Sequence, residues 1–144
     1  MKKSMFLMIL LALLLAACGG SSSESGAENT TLTVGEKTYT VDDLKALPPT
    51  EAVFNDVTYV GVVLSDLLAD AGVDASGLTA VKAIASDGYS MNYEPALFTR
   101  SDVILAYAQA DGPLTDDDGT FRMVLPGEEG KLNVRQLVEI QAVP

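Results

Sequence analysis

The stretch Val57-Thr-Tyr-Val-Gly-Val-Val-Leu-Ser-Asp-Leu-Leu-Ala-Asp-Ala-Gly-Val73 changes character at its middle, and the rest of the chain is organised around it. Its first half is rich in β-branched and aromatic residues beside a glycine, which predicts a strand that ends near Val63. From Leu64 onward, apolar residues recur three, four and seven positions later, which predicts a short helix with one buried face. We expect Ser65 to be the N-cap of this helix and Gly72 to end it in a left-handed conformation.

The segments on either side of this stretch alternate irregularly between short strands, short helices and turns. The further predicted strands are 32–34, 38–41, 78–85, 90–93, 103–109, 121–125 and 138–143, with residues 51–63 extended apart from a break at Asn55-Asp56. The predicted short helices are 42–47, 94–98 and 134–137. Because strands and helices do not alternate regularly, we predict a single α+β domain, residues 32–144, built on a mixed, mostly antiparallel sheet.

Six short blocks of the predicted domain follow one another in the order seen in a known family. They are Tyr59-Val-Gly-Val-Val-Leu-Ser-Asp-Leu-Leu68, Asp87-Gly-Tyr89, Ile104-Leu-Ala-Tyr107, Gly112-Pro-Leu114, Gly119-Thr-Phe-Arg-Met-Val-Leu-Pro-Gly127 and Val134-Arg-Gln-Leu-Val-Glu-Ile140. In these blocks the chain resembles the oxidoreductase molybdopterin-binding domain of the sulfite oxidase superfamily. The resemblance implies a pterin whose molybdenum is also bound by a cysteine thiolate, from a loop that precedes the first block.

The chain departs from this family where the metal would be bound. The corresponding loop is Ala52-Val-Phe-Asn-Asp-Val57, which contains no cysteine, and the whole sequence contains no histidine. The side chains of Asn55 and Asp56 cannot replace a soft thiolate without changing the electronics of the metal. Arg135-Gln136 also stand where the family typically has lysine and tryptophan. We therefore expect a short lipoprotein form of the family with no metal site and no cofactor; molybdopterin held without cysteine ligation is the alternative.

The N-terminus has the pattern of a bacterial lipoprotein leader. A basic start, Met1-Lys-Lys-Ser, is followed by an apolar run that ends in Leu15-Ala-Ala-Cys18, which matches a lipobox. We predict a signal peptide at residues 1–17 and a flexible Gly/Ser linker at 18–31 that begins with a lipidated Cys18. Acyl chains such as palmitate would then hold the protein in the lipid bilayer, at the extracytoplasmic face of a bacterial cell membrane.

The charge of the chain excludes several classes of partner. Without the leader, the protein has 7 basic and 20 acidic residues, a net charge of −13. Such a charge opposes binding to nucleic acid and to anionic lipid, so the lipid on Cys18 is the expected membrane attachment.

The residue types present also limit catalysis. A chain without histidine, whose one cysteine is lipidated, lacks the common nucleophile and base pairs and the usual zinc ligands. Hydrolysis by paired carboxylates remains open, although no pair is singled out by its context. The run Asp116-Asp-Asp-Gly119 does not fit a calcium loop, because Leu114 and Leu125 would fall at the first and twelfth ligand positions. We expect no catalytic residues, and a solvated turn at this run.

The turn Asp87-Gly-Tyr89 is the best candidate for a binding site. Glycine there can take a positive φ, and its neighbours would project from a strand end, where ligand grooves are common. Cations in an otherwise acidic protein suit a phosphate or carboxylate. The predicted groove residues are Asp87, Tyr89, Asn92, Tyr93, Arg122, Lys131 and Arg135. In the alternative interpretation, both tyrosines simply pack, with their hydroxyls at the rim.

Three functions are compatible with these features. The first is a non-catalytic module that binds a small anionic ligand or an envelope protein. The second is an oxidoreductase or electron-transfer subunit that carries a cofactor at the membrane. The third is a purely structural envelope lipoprotein.

Overall fold

The computed structural model describes residues 31–144, so the predicted leader, Cys18 and most of the predicted linker lie outside the described residues. In chain order, the strands are β1 (Thr31–Val34), β2 (Lys37–Thr40), β3 (Thr50–Phe54), β4 (Val57–Val63), β5 (Ala80–Ala85), β6 (Ser90–Tyr93), β7 (Ile104–Gln109), β8 (Gly112–Pro113), β9 (Arg122–Val124) and β10 (Leu137–Val143). The helices are α1 (Val41–Lys45), α2 (Leu64–Asp70) and α3 (Pro95–Phe98), with short 3-10 turns at Ala75–Gly77 and Gly130–Leu132. None of the described helices is long and apolar enough to cross a membrane.

The strands form two five-stranded sheets, where the sequence had suggested one. The first sheet has the order β2-β1-β10-β5-β6, and the second has the order β3-β4-β7-β8, with β9 also paired to β7. All the pairings are antiparallel except that of β1 with β10. The predicted fold class, α+β with mixed, mostly antiparallel pairing, is confirmed.

The main core draws on both sheets and on all three helices. Its fully buried side chains include Leu32 of β1, Leu67 of α2, Phe98 of α3 and Leu105 of β7. Because side chains alternate along a strand, the neighbours of Leu105 face the other side of the second sheet. There they form a smaller buried cluster, made of Ala52, Tyr59, Ile104, Ala106 and Val124.

Strand β4 passes directly into α2, as predicted, but the N-cap is not the predicted one. The helix begins at Leu64, and the residue before it, Val63, makes no side-chain cap. The Leu64 N–H instead donates to the carbonyl of Val103 at 2.9 Å, so the residue just before β7 satisfies a helix-end donor. The prediction of Ser65 as N-cap is therefore wrong. At the other end, Gly72 takes a φ of +77°, as expected of a left-handed cap.

The structure differs from the sequence-based prediction at residues 134–137 and agrees with it at the break after β3. The break at Asn55-Asp56 is a tight turn between β3 and β4, in which both residues have positive φ. The predicted helix at 134–137 is wrong, because Gln136 has a φ of +53° and β10 begins immediately after it. The helical turn of this region lies earlier, at Gly130–Leu132.

Candidate functional site

The turn between β5 and β6 is fixed by its own side chains. Gly88 has a φ of +88°, and the carboxylate of Asp87 accepts a hydrogen bond from the Tyr89 N–H at 2.9 Å. The Tyr89 hydroxyl donates to the Lys131 carbonyl at 2.9 Å, and the Tyr93 hydroxyl donates to the next carbonyl at 2.6 Å. These two bonds attach the 3-10 turn at Gly130–Leu132 to the edge of the first sheet.

A groove of about 440 Å³ lies beside this turn. We call it the first groove; it is lined by Asp87, Tyr89, Asp117, Lys131, Arg135 and Gln136, with parts of Ala85, Gly130, Asn133 and Val134. Its volume falls within the range of small-ligand pockets. The Lys131 ammonium lies 2.7 Å from a carboxylate oxygen of Glu129, so its charge is partly offset. Arg135 is exposed and makes no salt bridge with the residues that the structure describes.

A second groove of about 350 Å³ adjoins the first. Its lining is Phe54, Asn55, Val57, Tyr59, Gln109, Thr115, Asp117, Asp118, Gly130, Asn133, Arg122 and Arg135. Four of these residues, Asp117, Gly130, Asn133 and Arg135, also line the first groove. The two grooves therefore form one continuous depression with Arg135 on the wall that they share.

Arg122 lies at the base of the second groove, in a buried polar cluster. Its Nη1 donates to Oδ1 of Asp118 at 2.6 Å and to the hydroxyl of Tyr59 at 2.9 Å. Its guanidinium also stacks on the rings of Tyr59 and Phe54, at 4.6 and 5.7 Å from the ring centres. The side chains of Arg122 and Asp118 are only 5% and 6% exposed. A charge in such a position requires a partner, and Asp118 supplies it.

Burial and three neighbouring charges affect the pKa of Tyr59 in the second groove. Burial raises the pKa of its hydroxyl, the Arg122 and Arg135 cations act to lower it, and Asp118 acts to raise it further. Burial likewise raises the pKa of Tyr93. Both phenols are therefore neutral near pH 7, and they act as hydrogen-bonding groups rather than as bases.

The turn Thr115–Gly119 covers one side of the second groove and is held by a strained residue. The Gln136 side-chain amide donates to the carbonyls of Asp116 and Asp117 at 2.7 and 3.2 Å, and its backbone N–H donates to the carbonyl of Asp118 at 2.8 Å. A positive φ is uncommon for glutamine, and strained backbone of this kind clusters at functional sites.

The structure brings most of the predicted groove residues together. Asp87, Tyr89, Lys131 and Arg135 line the first groove, and Arg122 lines the adjoining one.

Two predicted groove residues lie elsewhere, because neighbours on a strand face opposite sides. Tyr93 is fully buried in the main core, and Asn92 is exposed on β6 without lining either groove. Their inclusion in the groove was wrong.

Sequence reasoning missed several residues of the site. Asp118 had a signal that could have been used, because an arginine inside the apolar run Phe121-Arg-Met-Val-Leu125 needs a buried carboxylate and Asp118 precedes Arg122 by four residues. For Tyr59 the sequence predicts only a position on a strand. Asn133 had no comparable signal: its side-chain oxygen accepts the Leu125 N–H at 2.7 Å, a contact between two loops.

The donor atoms at the site do not fit a molybdenum centre of the family type. The segment that should carry the thiolate does border the second groove, but it presents the Phe54 ring and the Asn55 amide there. Residues 31–144 contain no cysteine and no histidine, and no three acidic residues in this range are grouped to hold a metal ion. The carboxylate nearest the groove base, that of Asp118, is already paired with Arg122.

Comparison with known proteins agrees with the fold. The crystal structure of the sulfane dehydrogenase SoxCD from Paracoccus pantotrophus is similar to this chain, with a TM-score of 0.70 and 23% sequence identity, over 83% of this chain and 39% of that chain. No curated protein matches. The family described as the oxidoreductase molybdopterin binding domain matches residues 33–144, nearly the whole described region. The chain therefore belongs to the oxidoreductase molybdopterin-binding domain family.

Proposed function

We propose that this protein is a lipoprotein anchored at the extracytoplasmic face of a bacterial cell membrane, whose domain binds a small anionic ligand, or an acidic group of an envelope protein, without catalysing a reaction. The observation that carries the proposal is the continuous depression with Arg135 on its shared wall and Arg122 at its base. Guanidinium groups bind carboxylate and phosphate with directed, charge-assisted hydrogen bonds. The same depression offers no thiolate or imidazole for a metal or for nucleophilic chemistry.

Arg135 is the residue on which binding should depend most. It is exposed, it borders both grooves, and it has no salt-bridge partner among residues 31–144. Three cations of residues 31–144 have no salt bridge, namely Lys45, Lys82 and Arg135, and of these three only Arg135 borders the two grooves.

The binding test uses the domain from Thr31 to Pro144 and a panel of small carboxylates and phosphates, with thermal unfolding as the readout. We expect one class of anion to raise the unfolding temperature and Arg135→Ala to abolish that rise. Lys82→Ala is the matched control, because it removes a cation that lines neither groove. Equal effects of the two substitutions would refute a specific site and would favour a purely structural lipoprotein.

The second candidate function is a cofactor-carrying oxidoreductase or electron-transfer subunit, which the family name favours. Elemental analysis and an absorption spectrum of the domain, purified from a host that makes molybdenum cofactor, separate the two functions. We expect substoichiometric molybdenum and no visible band, because the donor set lacks a soft ligand. Stoichiometric molybdenum would replace our proposal with the second one.

The proposed attachment is through Cys18, the last residue of the lipobox sequence Leu15-Ala-Ala-Cys18. Two acyl chains, at about 0.8 kcal/mol per buried methylene, make such attachment stable. Mass spectrometry of the full-length protein should find lipid on the Cys18 sulfur, and Cys18→Ser should release the protein from the membrane fraction. An unmodified Cys18 in membrane-bound protein would contradict this part of the proposal.

A further inference from the structure

The side chain that pairs with Arg122 belongs to an exposed turn rather than to a strand or helix. Thr115–Gly119 closes on itself through hydrogen bonds from the Asp118 and Gly119 N–H groups to the Thr115 carbonyl, at 3.0 and 3.2 Å. Asp116 and Asp117 on the same turn are exposed. Apart from the bond of the Asp118 carboxylate to Arg122, the hydrogen bonds that join this turn to other described residues are those with Gln136.

Arg122 retains capacity to bind an anion even in this state. Its hydrogen bonds within residues 31–144 come from Nη1 and Nε, and Nη2 makes none. No buried side-chain nitrogen of the described residues lacks a partner, so Nη2 remains in contact with solvent. Because Arg122 lines the second groove, this contact is with the groove.

The Asp118 carboxylate accepts from Nη1 of Arg122, so an external anion can hydrogen-bond to both Nη1 and Nη2 only if it takes the place of that carboxylate. An ion pair that is buried gains little net stability, since desolvation of the two charges offsets most of their attraction. Exchange of one carboxylate for another keeps the Arg122 charge paired, and it returns Asp118 to water. The cost of the exchange is then mainly the release of the turn from Gln136.

We propose that Asp118 is a built-in competitor for the anion site at Arg122, and that Gln136 holds it in place as a positioning residue. The anionic ligand binds by displacing the Asp118 carboxylate, while the turn Thr115–Gly119 moves away from the groove. This inference rests on the proposed anion-binding function, and it adds a mechanism by which the site is kept closed in the absence of its ligand.

The test is titration with inorganic sulfate at constant ionic strength, followed by isothermal calorimetry. Asp118→Asn should bind sulfate about 10-fold more tightly than the wild type, because a charge-assisted competitor becomes a neutral one. Gln136→Gly should also tighten binding, by about 3-fold, since glycine accepts the positive φ while the amide that holds the turn is lost. Adding Arg122→Ala to Asp118→Asn should remove the gain.

Asp111→Asn is the matched control, because it removes the same charge from a side chain that makes no hydrogen bond or salt bridge with Arg122 and lines neither groove. It should change sulfate affinity by less than about 2-fold. Amide NMR signals of Asp118 and Gly119 in the wild type should shift as sulfate is added. If Asp118→Asn does not fold, Gln136→Gly decides: unchanged affinity in that variant overturns the inference.

The outcomes separate this inference from the proposed function. If Asp118→Asn binds sulfate no more tightly than the wild type, while Arg135→Ala still weakens binding, Asp118 is not a competitor and the anion site stands. If neither the wild type nor any variant binds sulfate, the inference is refuted, and the anion site itself is decided by the panel of carboxylates and phosphates.

Discussion

Asn55 and Asp56 show how a pair of residues shapes the site. Their φ values of +49° and +62° make a two-residue turn that suits the twist of a β-hairpin, here between β3 and β4. The turn brings Phe54 and Val57 into register as partners, and both line the second groove. The segment where the family resemblance implies a metal-ligating cysteine is thus reduced to a tight hairpin end.

We predict that Asp56→Gly stabilises the protein by about 0.5–1 kcal/mol, because Asn-Gly is the preferred pair for this turn and glycine adopts positive φ without strain. The free energy of unfolding in urea measures the effect. Ala69→Gly in α2 is the control, and it should destabilise by about 1 kcal/mol. A loss of stability in Asp56→Gly would show that the aspartate side chain contributes more than its backbone strain costs.

At the scale of elements, the pairing of β4 with β7 in the second sheet depends on a glycine. The register of these strands shifts at Val60/Gly61, and Gly61 lies so close to β7 that an added Cβ would be 2.0 Å from the Leu105 carbonyl oxygen. Real atoms do not approach so closely, and the opposing group is backbone. Gly61 therefore permits the close approach of β4 to β7. This approach fixes the position of β4, which bears Tyr59 of the second groove and continues into α2.

Gly61→Ala should destabilise the domain by at least about 3 kcal/mol, since either β4 or β7 must move to accept the methyl group. Thermal unfolding followed by circular dichroism would report it. Gly112→Ala in β8 is the matched control, because a Cβ at that position meets no atom within 4 Å. Similar stabilities for the two variants would contradict the close approach of β4 to β7.

A second tie between elements joins β2 to α2 and should respond to acid. The Asp70 carboxylate accepts hydrogen bonds from Lys37 at 2.7 Å and from the Tyr39 hydroxyl at 2.6 Å. The Lys37 ammonium and the Tyr39 hydroxyl lower the pKa of Asp70 from 3.8. Since the folded-state pKa lies below the unfolded one, the stabilisation is present above 3.8 and is lost as the pH falls through the lower value.

The urea midpoint of the wild type should therefore fall between about pH 6 and about pH 3 by more than that of Asp70→Asn, which has no carboxylate to protonate at this position. The difference between the two proteins should shrink as the solution becomes more acid. A constant difference across this range would mean that the charge on Asp70 contributes nothing.

Element types were largely predictable from the sequence, while the polar contacts between elements were not. Alternating apolar residues and turn-forming glycines predicted strands such as β7 and the left-handed Gly72, because these depend on local chemistry. The pairing of Arg122 with Asp118 and the positive φ of Gln136 depend on the path of two loops over the second sheet. The hydrophobic and turn patterns of neighbouring residues do not determine that path, so the candidate site could be predicted only in part.

At the scale of the whole molecule, the large net negative charge of the domain destabilises the folded state. Residues 31–144 have a net charge of −11, with four of the seven cations already committed to salt bridges. The remaining acidic side chains repel one another across the surface, which favours solubility and destabilises the folded state. Salt screens such repulsion over a Debye length of about 10 Å at 0.1 M.

Raising the NaCl concentration from about 10 mM to about 300 mM should increase the unfolding temperature of the domain by about 3–5 °C, because net repulsion is screened more than the few ion pairs are weakened. Differential scanning calorimetry measures the shift. A decrease with salt would show that specific ion pairs such as Lys37–Asp70 outweigh the overall repulsion.

The parallel pairing of β1 with β10 sets the order of events during synthesis. The first strand of the domain has its partner in the last, and β10 also lies between β1 and β5. When the ribosome has synthesised the chain only as far as Gln136, the first sheet therefore still lacks its central strand, β10. Pairings between such distant segments form late, since the loop between them must be closed first. Until β10 has been made, β1 and β5 cannot be joined in one sheet, whereas all five strands of the second sheet are already present.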